Sequence, residues 1–306
     1  MSAPLETIAR NDRADWPSQA VLRLADYATL SKARLATLVL AATSAGYLFA
    51  ARGEINLVLL AHTLIGTALV AFGASALNQV LERERDGRMA RTADRPIPAG
   101  RISVEEGLCF GATAGIGGTL YLLFFTTPAA AALAAATLLL YVLVYTPLKP
   151  RTPLCLPIGA VPGAMPPLIG YAAATGGLSY EAWLPALIVY FWQHPHFLAI
   201  SWLYREDYAR GGFAIEAVAD PEGRATGRQA TGKSILLALV ALLPAATRSA
   251  GSAYAVAALG LSVAFLALSA MMAAHCTRGS ARRVFIASII YLPLLLLLLV
   301  VDRTGG

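Results

Sequence analysis

Three cysteines in 306 residues, Cys109, Cys155 and Cys276, are too few and too scattered for a disulfide framework or a paired-cysteine metal site. They read as small apolar fillers. Charge is also scarce: Asp, Glu, Lys and Arg make up 14% of the chain against 57% hydrophobic residues, which excludes an ordinary water-soluble globule. Long polar stretches are missing as well. The two longest polar connections, 82–103 and 205–231, leave no room for a soluble domain. The first 28 residues lack the apolar core of a cleavable signal peptide, and Glu6, Asp12 and Asp15 argue against an acid-poor transit sequence.

What the chain has instead is apolar runs. A spanning helix needs roughly 20 mostly apolar residues, and nine segments qualify: 29–51, 55–81, 104–125, 128–147, 154–174, 181–204, 232–247, 252–275 and 282–301. The seventh is short and ends near Pro244. The expected fold is an all-α membrane protein of nine transmembrane helices around a central cavity. It divides into an N-terminal segment, 1–28, and a nine-helix domain, 29–303. Of the 24 Lys and Arg residues, all but Arg52, Arg248 and Arg303 fall on one side of this arrangement. The positive-inside rule puts that side, and the N-terminus, in the cytoplasm. The net charge of +6 is therefore mainly topology and gives no reason to invoke nucleic acid. A bacterial inner membrane, with membrane lipid around the helices, is the simplest location.

The connections 82–103 and 205–231 follow even-numbered spans four helices apart, and both pair acids with arginines, which suggests two halves of like orientation. Gly and Ala in spans three to five permit close helix contact. The proline-rich stretches PLCLPIGAVPGAMPP and WLPALIVYFWQHPHF are expected to break spans five and six.

At the end of the second span, LNQVLERERDGRMARTADRPIPAGR spaces Asn78, Glu82 and Asp86 four residues apart. At about 100° per residue these side chains drift only about 80° and share one face of a helix. Arg88, Arg91, Arg95 and Arg101 follow. Magnesium takes oxygen ligands, usually one or two carboxylates plus substrate phosphates, and arginines neutralise what phosphate charge remains. A solvated helix end is the bland alternative. Acids at the apolar edge argue against it, since an ionised carboxylate costs up to about 2.5–3.5 kcal/mol at mid-membrane unless a cation compensates it.

The second acidic pair is Glu206 and Asp207, in YREDYARGG. Neighbours on a helix point about 100° apart, so one of them faces the cavity. Asp207 is favoured because His196, eleven residues earlier, returns to within about 20° of the same face on a continuous helix. His196 is then an acceptor-side residue or an iron ligand, against the commoner role of a hydrogen-bonded packing histidine. Lys149 and Arg151, in YTPLKPRT, follow the fourth span and are candidate diphosphate contacts, with Tyr145 beside them.

With LNQVLERERDGRMARTADRPIPAGRIS, YTPLKPRTPL, IGAVPGAMPPLIGY, QHPHFLAISWLYREDYARGG and DPEGRATGRQ in view, the chain resembles the intramembrane prenyltransferases of the UbiA superfamily. Within it, the set resembles the haem-modifying branch. The likeness runs from DYATLSKAR at 26–34 to the last span. It implies a magnesium-dependent prenyltransferase in which Asn78, Glu82, Asp86 and Asp207 are catalytic and Glu82, Asp86 and Asp207 hold Mg2+. Arg91, Arg95, Lys149 and Arg151 bind diphosphate, and His196, Tyr145 and Tyr208 face the acceptor. The implied reaction joins the farnesyl group of farnesyl diphosphate to a vinyl group of haem B with addition of water, giving haem O, and a downstream haem A synthase is the candidate partner. Ala33, Cys155, His194 and the segment around Glu216 depart from the branch's pattern. Two other readings stand beside it: prenylation of a quinone precursor or chlorophyll-type ring, which shares the diphosphate half, and a secondary transporter of an anion. The transporter would place its site near the midplane, whereas the charged clusters here lie at one surface.

Overall fold

The computed structural model of the chain describes residues 16–51 and 53–304. Glu6, Arg10, Asp12, Arg13, Asp15 and Arg52, used above for topology and targeting, lie outside them.

Among the described residues all regular elements are helical. They are α1 (Trp16–Leu30), α2 (Ala33–Ala50), α3 (Leu57–Gly87), α4 (Val104–Phe125), α5 (Pro128–Leu148), α6 (Cys155–Thr175), α7 (Trp183–Leu203), α8 (Arg205–Arg210), α9 (Glu216–Ala219), α10 (Arg224–Ala246), α11 (Ser252–Ala274) and α12 (Arg278–Val301). Eight of these are long and apolar enough to cross a membrane. The sixth expected span, α7, has comparable length, but Gln193, His194 and His196 dilute its apolar run. Large hydrophobic side chains stand exposed along the rods, with Phe124 at 76% and Val256 at 73%. Such surface suits hydrocarbon and not water. The chain is a multi-pass membrane protein.

Helix α1, Trp16–Leu30, begins inside the expected N-terminal segment, 1–28. It is docked by Arg23, whose guanidinium reaches Glu106 at 2.7 and 2.8 Å, and by the Tyr27 hydroxyl on the same carboxylate. Arg101 belongs to this dock, bonded to Asp26 and Asp94 at 2.8 and 2.9 Å. The prolines of α6 and α7 do not break those helices. Gln193 ties the two together by donating to the carbonyls of Ala160 and Val189. The short seventh span is a full helix of 23 residues, since α10 begins in polar sequence at Arg224 and carries Pro244 inside it.

Helices α2 to α6 pack on one another, and α7, α10, α11 and α12 form a second group. Contacts of α6 with α7 and of α2 with α12 close the ring. Small residues set the closest approaches. A Cβ on Gly170 of α6 would lie 2.0 Å from the Thr43 carbonyl oxygen of α2, and one on Gly46 equally close to the Pro167 carbonyl. Backbone cannot move aside cheaply, so Gly170→Ala is expected to destabilise the fold by about 3 kcal/mol. Thermal unfolding in detergent measures this. Gly177→Ala, where a Cβ meets nothing within 4 Å, serves as the control that should leave it unchanged.

The ends of the rods are sorted by chemistry. Lys32 before α2, the end of α3, Lys149 after α5, Asp207 after α7 and Arg278 at the start of α12 form one end, joined through the contacts described next. At the other end, Arg303 donates to the carbonyls of Leu48 and Ala51, pinning the chain's last helix to the end of α2.

Candidate active site

The last turns of α3 bury three polar side chains: Asn78 is 0% exposed, Glu82 5% and Asp86 1%. The helix continues to Gly87, so the i, i+4 spacing does place them along one wall. Each meets a partner from another element or from the following loop. Asn78 accepts from Lys32 Nζ at 2.9 Å and donates to Thr146 Oγ1 at 3.0 Å. Glu82 takes the Lys149 ammonium, which donates to Oε2 at 3.1 Å and lies 2.9 Å from Oε1. Oε1 is off the hydrogen-bonding direction and, buried, has no hydrogen bond. Asp86 pairs with Arg95 at 2.6 Å, and its own carbonyl accepts from Thr92.

Lys149 is presented by an irregular piece of α5. Residues Leu140–Tyr145 are wound as a π-helix, an arrangement that recurs at functional sites. The Thr146 hydroxyl caps this turn on the Tyr141 carbonyl while receiving Asn78. The Lys149 ammonium lies 4.8 Å from the Tyr145 ring centre and 5.7 Å from that of Phe213. Burial works against its charge, but the Glu82 carboxylate together with Tyr145 and Tyr141 outweighs that and holds the ammonium well above the ordinary lysine range.

Asp207 arrives from the other half of the ring. It is 9% exposed and accepts from the backbone N–H of Ala90 at 3.1 Å, while Arg210 forms an ion pair with the same oxygen. Desolvation opposes ionisation here. Hydrogen bonds from Arg210, Ala90 and Arg91 overcome it and hold the carboxyl below its usual range. Further straps run between the same segments: Arg85 donates to the carbonyls of Gly211 and Gly212, and the Ala214 N–H to the Lys149 carbonyl. Arg91 is exposed and lies over the rings of Tyr204 and Tyr208.

The structure thus gathers Asn78, Glu82, Asp86, Arg95, Lys149 and Tyr145 into one network. Asp207, Tyr208 and Arg91 are joined to it through the loop after α3. It does not gather everything. Arg151 is exposed and has no side-chain partner among the described residues. His196 is hydrogen-bonded to Ser288 at 2.6 Å and stacked on Trp192 at 4.6 Å. Its phase relation to Asp207 fails because Tyr204, at φ −116° and ψ 24°, ends α7 before α8 starts. The carboxylates of Glu82, Asp86 and Asp207 do not form one preassembled metal-binding group among the described residues, since each holds a cation of the chain. Lys32, Thr146, Thr92 and Arg210 were missed in the sequence. All four lie inside the quoted motifs, Lys32 in DYATLSKAR, Thr92 in LNQVLERERDGRMARTADRPIPAGRIS, Thr146 in YTPLKPRTPL and Arg210 in YREDYARGG, but nothing in their spacing singled them out.

A buried file of acids facing lysines and arginines at one end of an apolar helical ring defines an intramembrane protein that handles a polyanionic head group on an apolar molecule. Residues 39–296 match the UbiA prenyltransferase family, and the chain belongs to that family. It is 43% identical over 289 residues to the Protoheme IX farnesyltransferase of Solibacter usitatus (strain Ellin6076), covering 92% of this chain and 99% of that protein. Its fold is that of a structure described as digeranylgeranylglyceryl phosphate synthase, with a TM-score of 0.75 at 19% identity, covering 91% of this chain and 98% of that one. It also matches a UbiA homolog from Archaeoglobus fulgidus bound to GPP and Mg2+, with a TM-score of 0.62 at 12% identity, over 90% of this chain and 99% of that one.

Proposed function

We propose that the chain transfers the farnesyl group of farnesyl diphosphate to a vinyl group of haem B, with addition of water, giving haem O and diphosphate. The observation that carries this is the buried wall of α3 on which Asn78 meets Lys32 and Thr146, Glu82 meets Lys149 and Asp86 meets Arg95. The name of the Solibacter relative supplies the farnesyl donor and the haem acceptor.

The residues divide the work. Lys149 and Arg95, with Arg91 at the rim, take the diphosphate by charge-assisted hydrogen bonds that shorten as its negative charge grows. Tyr145 and Phe213 close in the Lys149 ammonium so that it acts in a low dielectric. The bond from the allylic carbon to the diphosphate oxygen breaks, a carbon–carbon bond to the vinyl group forms, and water adds its hydroxyl to the cation left on the vinyl. Its proton leaves to solvent.

Glu82, Asp86 and Asp207 are the groups that would hold Mg2+. Their hard oxygens suit it, and the buried Glu82 Oε1, 2.9 Å from the Lys149 ammonium but outside hydrogen-bond geometry, keeps lone-pair capacity for a cation. When bound, the metal supplies further neutralisation of the leaving group. The likeness to a homolog whose structure contains GPP and Mg2+ supports the same reading. Counting α7, the sixth expected span, brings the total to nine on its length of 21 residues, the N-terminus lies in the cytoplasm by the charge asymmetry, and a bacterial inner membrane is the location. Haem A synthase is the natural recipient of the product.

Purified protein given haem B, farnesyl diphosphate and magnesium is expected to yield haem O by mass spectrometry together with released diphosphate. Chelation by EDTA should suppress product by at least about a hundredfold, and added magnesium should restore it. Product formed at the full rate in EDTA would reject the metal assignment. Prenylation of a quinone precursor in place of haem would reject the acceptor.

A further inference from the structure

A hollow of about 450 Å³ shares Asp207 and Arg210 with the acidic network but none of Asn78, Glu82, Asp86 or Lys149. It lies where the end of α7 and α8 face the connection from α11 to α12. The wall is unusual in its cations. Arg210 is matched by Asp207, yet neither Arg205 nor Arg278 is paired with a carboxylate among the described residues. Glu206 is the other acid present, so positive charge is in surplus. The Arg205 guanidinium lies 4.4 Å from the Trp202 ring centre, and Trp202 itself is 4% exposed. The Tyr204 ring, 38% exposed, lines the same hollow, so aromatic surface and unmatched arginines share one opening.

We infer that this hollow binds the carboxylate-bearing edge of a porphyrin acceptor, Arg205 and Arg278 taking its two propionates and Tyr204 lying against the macrocycle. This rests on haem being the acceptor. The chemistry is specific: guanidinium matches carboxylate in a planar fork and tolerates an aromatic face beneath it. The vinyl groups of haem B lie across the ring from its propionates. Carboxylates held by Arg205 and Arg278 would therefore leave the reactive edge free, with Asp207 as the residue common to both sites. A phospholipid head group shares the anionic chemistry but not the need for a flat aromatic floor.

The test measures binding apart from turnover. Protein in nanodiscs of phosphatidylcholine alone is titrated with haem B and with haem B dimethyl ester, followed by the haem absorption band, without farnesyl diphosphate. Wild type should prefer the free acid, and Arg278→Gln and Arg205→Gln should each weaken it about tenfold while leaving ester binding unchanged. Arg278→Lys should recover part of the loss, and the KM for farnesyl diphosphate should not move. Equal affinity for acid and ester, or variants that bind the acid normally, would overturn the assignment even if haem O forms. A response of these variants only when phosphatidylglycerol is present would assign the hollow to lipid and also overturn it. Carboxylate-dependent binding with no farnesylated product would instead sink the farnesyl-transfer reading and leave this site standing.

Discussion

Asp86→Ala is expected to lower haem O formation by about a thousandfold or more, with the protein still inserted and folded. Its carboxylate is 1% exposed and holds Arg95 at 2.6 Å. Removal therefore deletes a hard oxygen donor and at the same stroke leaves a guanidinium without its partner in a buried wall. An isolated buried charge is costly, so Arg95 will turn toward solvent and cease to wait for the diphosphate. The loss should fall on kcat more than on the KM for haem, because the missing group acts on charge that develops as the allylic bond breaks. Single-turnover assays on purified protein give the number, with helical content by circular dichroism as the folding control. Asp86→Ala protein that retains normal turnover would end the assignment of this wall to the diphosphate.

Asp207→Ala should cost about a hundredfold or more in the same assay, through a different route. The Asp207 carboxylate receives Ala90 and Arg91 from the loop that follows α3, and Arg210 from its own helix. Alanine removes that tie to the second half of the ring, so the loop is held less firmly and Arg91, which among the described residues has no carboxylate partner as Arg95 has in Asp86, shifts from the mouth. Asp207→Asn separates the two contributions. It keeps an oxygen for the Ala90 N–H but removes the charge, and should stay impaired if the carboxylate is needed as an anion. Activity restored to wild-type level in Asp207→Asn would show that holding the loop is all the residue does.

The sequence was most legible where punctuation was local. The third span, expected at 104–125, is α4 at Val104–Phe125, because Ser103 caps its start and Thr126, Thr127 and Pro128 end it. Where polar sequence remains helical beyond the apolar run, the edge was invisible, and α10 begins eight residues before the expected 232. The acidic file on α3 was legible for the same local reason, since a spacing of four fixes a common face. Its partners were not. Thr146 reaches Asn78 across 68 positions and Lys149 reaches Glu82 across 67, and no periodicity within either helix announces such a meeting. His196 shows the opposite failure: a phase computed along one helix cannot survive the break at Tyr204.

Lys149 also decides something about how the site is dimensioned. Its ammonium answers Glu82 on α3, while its main-chain carbonyl receives Ala214 from the segment that carries Asp207. One residue is thus the common reference for both acidic strips, and the second of its two links does not involve its side chain. Exchanging the side chain at 149 would remove the link to Glu82 and leave the main-chain link to Ala214, so the charge of the mouth can change while its tie to the Asp207 segment stays.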